Sequence, residues 1–195
     1  MQIFDSSLLD ETLNYLEFNG FDGITEFNNV EFNNCLFKKF VSNNIIFNNC
    51  YFFDCTFDNV DLSNSKFTNS SFVRTNFSGS KLVGVNFDSS MFKKVSFIDC
   101  NNTYNNFASA SFKEVKFKDN KMLKVGFNET VFSKTTFGNC NLDGAEIFRT
   151  SLELVDFSSS SIDNILIDEY SLKGLTVNET QALSLSKLLG IIIKE

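Results

Sequence analysis

From Phe27 to Val177 a large apolar residue returns at every fifth position but two. These 31 positions hold 19 of the 25 Phe in the chain. The run Asn86–Cys100, NFDSSMFKKVSFIDC, shows the spacing at Phe87, Phe92 and Phe97. An amphipathic helix repeats near every 3.6 residues and a half-buried strand near every two. Five fits neither. The phase holds over about 150 residues, so the chain is an internal repeat, which decides the fold before any local element does. The residue two before each large one is small or modest, as at Thr25, Val30, Cys35, Cys50, Ser65, Thr75, Val95, Ala110 and Cys140. Each pentapeptide therefore turns one large and one small residue inward, and Asn, Ser, Asp, Lys and Gly fill the other three places.

This pattern resembles the pentapeptide-repeat family, and the match runs from residue 25 to about 178. The resemblance implies an all-β fold, a right-handed quadrilateral β-helix of about eight coils, in which four pentapeptides make one square coil. Positions 20 apart should then stack and share chemistry. The series Ser42, Leu62, Leu82, Asn102, Met122, Leu142, Ile162 contains no Phe, while the other three series are Phe at nearly every place up to about residue 140. One wall thus has smaller centres, because four Phe per layer exceed what native packing density accommodates. Ser42 and Asn102 break the apolar rule on that wall. The stretches around Ser42, Asn43 and Asn44 and around Asn101, Asn102, Thr103 and Tyr104 either bulge outward as small loops or are satisfied inside.

Both ends depart from the repeat, and a stacked-coil solenoid needs capped ends. Residues 1–23 lose the phase and are expected to form an N-terminal cap. Ser7 to Gly20 suits a short helix with Ser7 as N-cap, or LNYLEF begins the first coil. Residues 24–178 form the β-helix. In 179–195, Asn178 and Gln181 form a capping box, Gly190 suits a helix stop, and about three turns of C-terminal α-helix lie between. Ala182, Leu185, Leu188, Leu189, Ile191, Ile192 and Ile193 exceed what one narrow coil end can cover, which favours a dimer interface over a simple lid.

Charge and composition narrow the function. The net charge of −7 argues against nonspecific binding to nucleic acid or to an anionic membrane. No apolar run approaches a membrane span, and nothing near Met1 resembles a signal peptide. The five Cys form no CxxC pair and all occupy the small inward slot, so they read as reduced packing thiols of a cytoplasmic protein. Without His, neither a Ser-His-Asp triad nor a Cys-His pair is available. No phosphate-binding Gly motif follows a strand. Phe-filled coils leave no interior pocket. The expectation is a binding protein without cofactor or metal, not an enzyme.

The tail sharpens this. Gln181-Ala182, Leu185 and Leu189-Gly190-Ile191 resemble the tail of the Qnr-like quinolone-resistance subgroup of the same family. That resemblance implies a homodimer joined through the C-terminal helix. It also implies binding to the type II topoisomerases, DNA gyrase and topoisomerase IV, as a mimic of duplex DNA. The long loops carried by many members are missing here. Charge is segmented along the chain: −8 over residues 1–61, +6 over 62–134 and −5 over 135–195. Asp143, Glu146, Asp163, Asp168 and Glu169 fall in the coils nearest the tail, where a tail-to-tail dimer gathers them into a central acidic saddle. The alternative is a pentapeptide-repeat scaffold for another protein partner. The basic middle and the missing loops favour it.

Overall fold

The computed structural model of the chain describes residues 7–194. It is a parallel β-solenoid of about eight coils, square in section, followed by short helices. The large residue of each pentapeptide sits at the middle of a side that is typically a short strand, such as Ser71–Val73 or Asn76–Ser78. Each side pairs in parallel with the same side of the next coil, so Phe72 lies opposite Phe92 and Phe77 opposite Phe97. The second residue after each Phe turns the corner in the left-handed backbone region, as at Asn29 (φ 55°), Asn69 (φ 55°), Asp99 (φ 53°) and Asn139 (φ 54°). Asn and Asp tolerate that region better than other residues with a Cβ, which explains the polar composition of the slot.

The four walls differ as their centres differ. The second wall (Leu13, then Phe32 to Phe132) and the third (Phe18, then Phe37 to Phe137) are each seven-stranded sheets. The fourth, with the smaller centres, is joined by single bridges from Val41 and Asp61 through Asn141 and Ser161. Inside, rings of one wall stack almost parallel: Phe77 on Phe97 at 4.6 Å and 6°, Phe92 on Phe112 at 4.8 Å and 8°. Rings of neighbouring walls meet edge to face, as Phe107 and Phe112 do at 5.3 Å and 69°. Both arrangements are favoured by the aromatic quadrupole.

The small inward slot also carries hydrogen bonds between coils. Ser70 accepts from the Cys50 N–H at 3.1 Å and donates to the Phe47 carbonyl at 3.3 Å. Thr130 N–H donates to Thr150 Oγ1, whose hydroxyl bonds the Phe127 carbonyl. Ser or Thr there satisfies backbone groups at the inner corners, which would otherwise be buried without partners. The five Cys fill the same slot and are all buried. Burial pushes the Cys50 and Cys100 thiols up to about 12 and raises Cys140 as well. The Cys35 sulfur stacked against Cys55, together with burial, raises the Cys55 thiol.

At the N-terminus there is no helix between Ser7 and Gly20. Strands Ser7–Leu9, Thr12–Asn14 and Glu17–Phe18 already belong to the first coil. They pair with Glu26–Asn28, Glu31–Asn33 and Leu36–Lys38, which puts Leu13 opposite Phe32 and Phe18 opposite Phe37. That register is shorter than the one between later coils by a single position. One residue is missing at the corner Asn19–Gly23, which is why the phase is lost there while the coil continues. Of the expected N-terminal segment, residues 1–6 lie outside the described residues.

The stretches at 40–44 and 100–104 keep the square. Val41 and Asn101 bridge to Asp61 and Lys81, so neither stretch projects as a loop. Ser42 is half-buried and Asn43 and Asn44 are exposed. Asn102 points inward and is fully buried, donating to Asn120 at 3.1 Å and accepting from Asn105 at 3.0 Å. A partnered Asn thus replaces an aliphatic centre, and no bulge is needed. Asn101 accepts from the Thr103 N–H, Thr103 is buried, and Tyr104 is exposed beneath Lys124.

The chain leaves the solenoid through helix α1 (Glu169–Leu172) and then helix α2 (Glu179–Ser186). Asn178 caps α2: its side chain accepts from the Gln181 N–H at 3.0 Å, and Gln181 accepts from the Asn178 N–H at 2.8 Å. Gln181 also donates to the Phe157 and Ser160 carbonyls, which ties α2 to the last coils. A 3-10 turn, Lys187–Leu189, ends at Gly190 with φ 71°. Among the described residues no helix is long and apolar enough to cross a membrane.

Candidate partner-binding surface

The acidic residues near the tail lie on two adjoining walls. Asp143 and Asp163 occupy successive coils of the fourth wall, and Asp143 accepts from the Ser161 hydroxyl and from the Asp163 N–H at 2.9 Å. Glu146 is exposed on the first wall, and Glu169 is exposed at the start of α1. Asp168 is half-buried because it caps α1, accepting from Ser171 N–H at 2.8 Å and from Arg149 N–H at 2.8 Å. The bond to Ser171 and its helix end is the main reason that its carboxyl lies below the usual carboxylate range. Arg149 stands among these acids and pairs with Glu129 at 2.6 Å. The cluster therefore combines exposed carboxylates with others that also hold local structure.

The tail residues separate into two groups. Leu185 is buried against the last coil, so it serves the rod itself. Ala182, Leu188, Leu189, Ile191, Ile192 and Ile193 are exposed, with Ile192 at 88%. Together with Leu183 they form an apolar face at one end of the molecule. Faces of that kind mark association sites.

The middle of the rod is basic. Lys93 lies directly opposite Lys113 on the second wall. Like charges facing across a sheet are destabilising, so their presence is not explained by stability. Among the described residues no three His, Cys, Asp or Glu side chains are grouped to hold a metal ion. The wall positions of Asp143, Glu146 and Asp163 were legible from the register of the repeat. The role of Asp168 as a helix cap was not, because α1 breaks the repeat at that point.

Two family models match this chain, the pentapeptide repeat region over residues 70–147 and pentapeptide repeats (8 copies) over residues 45–82. Together they span residues 45–147, more than half of the chain, and the protein belongs to the pentapeptide-repeat family. No curated protein matches its sequence. Among solved structures, full-length QnrB1, a plasmid-mediated fluoroquinolone resistance protein, is similar with a TM-score of 0.59 at 18% identity, covering 95% of this chain and 100% of that one. HetL from Nostoc sp. strain PCC 7120, a pentapeptide repeat protein involved in heterocyst differentiation regulation, gives 0.37 at 10% identity over 89% and 90%. Rfr23 from the cyanobacterium Cyanothece 51142 gives 0.37 at 14% identity over 64% and 88%. At 18% identity the likeness to QnrB1 is one of fold.

Proposed function

We propose that this protein is a Qnr-like, non-enzymatic binding protein that engages a type II topoisomerase, DNA gyrase or topoisomerase IV, as a mimic of duplex DNA. The observation that carries the reading is the tail: a capped helix directly after the last coil, presenting an unpartnered aliphatic face beside an acidic cluster. The end-to-end likeness to QnrB1 supports it at the level of fold. Two rods joined through Leu188, Leu189 and Ile191–Ile193 bring Asp143, Glu146, Asp163, Asp168 and Glu169 of both copies to the centre. At the usual strand spacing, eight coils give roughly 37 Å, so a dimer spans roughly 75 Å, the length of about 22 base pairs.

Gyrase supercoiling at rising protein concentration, with and without a fluoroquinolone, tests the reading. Rescue of supercoiling in the drug arm is the expected result, and inhibition without rescue makes the protein a regulator of the enzyme. No effect on either topoisomerase overturns the proposal. The second reading, a scaffold for another protein, is favoured by the charge of +6 over residues 62–134, which no DNA mimic requires.

A further inference from the structure

The backbone ladder is broken at one level of the rod. Across the coils at 111–119 and 131–139 it is regular: Glu114 N–H donates to Ser133 O at 2.8 Å and Asp119 N–H to Gly138 O at 2.9 Å. In return, Val131 N–H donates to Ala110 O and Thr136 N–H to Val115 O. One coil further these bonds are absent among the described residues. Lys134 and Asn139 do not reach the carbonyls of 153 and 158, and the carbonyls of Thr130 and Thr135 accept nothing from 151 and 156. Strands Val131–Ser133 and Thr136–Gly138 are accordingly the last of their sheets. On the first and fourth walls the ladder runs on past this level, through Leu142 N–H to Ser161 O at 2.8 Å and Leu166 N–H to Ala145 O at 2.8 Å.

The coil below differs at this level in both its centres and its backbone. Leu152 replaces the Phe of the second wall. On the third wall Phe157 meets Phe137 edge to face at 79°, whereas Phe117 and Phe137 stack at 7°. In the lower coil Val155 N–H closes on Leu152 O at 3.0 Å and Ser160 N–H on Phe157 O at 2.9 Å, so tight turns stand below the strands of both walls and the ladder is lost. The result is a seam with an open groove of about 530 Å³ on the third wall, bounded by Lys116, Thr136 and Gly138 above and by Leu154 and Asp156 below. Thr135 also lines it, and its buried hydroxyl has no partner.

We propose that this seam is a docking site for an extended, acidic segment of a partner polypeptide, added as a strand along the second and third walls. The free groups alternate as N–H donors (Lys134, Asn139) and carbonyl acceptors (Thr130, Thr135), the pattern that another peptide backbone complements. A phosphate backbone brings acceptors only and leaves both carbonyls unpaired. Charge sets the sequence of the occupant. Lys134 stands on the upper lip with Lys113 and Lys116 behind it, and among the described residues none of them is in an ion pair. Glu153 and Asp156 on the lower lip turn the carboxylates of the occupant towards those lysines. Its inward side chains are small, because Leu152 and Phe157 already fill the interior. The site is independent of the topoisomerase reading, since it uses neither the tail nor the acidic cluster.

Amide hydrogen exchange on the full chain tests this, with an alternating Glu-Ala octapeptide as probe. A Lys-Ala octapeptide and an oligothymidylate of matched charge serve as controls. In the free protein Lys134 and Asn139 are expected to exchange at least about tenfold faster than Glu114 and Asp119, their equivalents one coil earlier. The acidic peptide protects both amides, and Lys116→Glu/Lys134→Glu abolishes the protection while leaving the melting curve in place. Slow exchange in the free chain would show the seam to be closed and overturn the proposal. So would peptide binding that leaves both amides unprotected, equal protection by the oligonucleotide, or no binding at all.

Discussion

The coils up to residue 139 and the coils after it solve the same packing problem differently. In the first region three walls supply Phe at every level from Phe27 to Phe137, and from Phe37 onward each ring stacks on the ring of the coil before it. In the second region the centres become Leu142, Ile147, Leu152, Phe157, Ile162 and Ile167, and the single ring is turned edge-on. Rings fix the depth of every coil, whereas aliphatics fill space without fixing orientation. The stacked region repeats one geometry from coil to coil and carries the basic middle of the rod. The aliphatic region holds the broken ladder, the acidic cluster, both helices and the exposed tail. Regularity provides the ruler, and the departures from it provide the irregular surfaces of the molecule.

Truncating the ruler should have the largest effect. Phe97→Ala removes a fully buried ring from the middle of a stack and is expected to cost about 4 kcal/mol, against about 3 kcal/mol for Leu152→Ala beside the seam. Urea denaturation monitored by circular dichroism measures both, and equal costs would break the contrast between the regions. Ser70→Ala tests the inner-corner bonds. It removes only the hydroxyl oxygen and leaves the Cys50 N–H and the Phe47 carbonyl without their partner, a loss of about 2 kcal/mol by the same measurement.

Asn178→Ala should act locally. Losing the cap costs α2 about 1 kcal/mol, seen as faster amide exchange over 179–189 with little change in coils 62–139. Smallest is the pH response of α1. The Asp168 carboxyl is depressed in the folded chain, so its capping contribution is complete above the ordinary carboxylate range. It fades as pH falls through the depressed value. Titration of the Ser171 amide shift should report that loss, and Asp168→Asn should remove the pH dependence.

Much of this was legible in the chain. The fivefold period places every centre, and the series taken one coil at a time already separates the fourth wall from the others. Capping by Asn178 and Gln181 follows from their spacing. The N-terminal strands were ambiguous because a single residue is missing at the corner Asn19–Gly23, and that shift erases the phase without ending the coil. Asn102 was equally undecided from sequence, since only the positions of Asn105 and Asn120 around it give it partners inside. The division of the tail, with Leu185 inward and Ile192 outward, depends on where the last coil ends relative to α2.

The order of residues alone dictates the solenoid, its square section and the identity of its core. A strict repeat makes local pattern and global fold the same information, because every pentapeptide meets its neighbour in the next coil in the same geometry. Where that equivalence fails is settled only in three dimensions. Leu152 and Phe157 remain in phase, so no count along the chain reveals that two walls have lost their ladder there. The break lies where strands meet hydrogen-bonded turns, closed by Val155 on Leu152 and by Ser160 on Phe157, a backbone choice that the repeat does not encode.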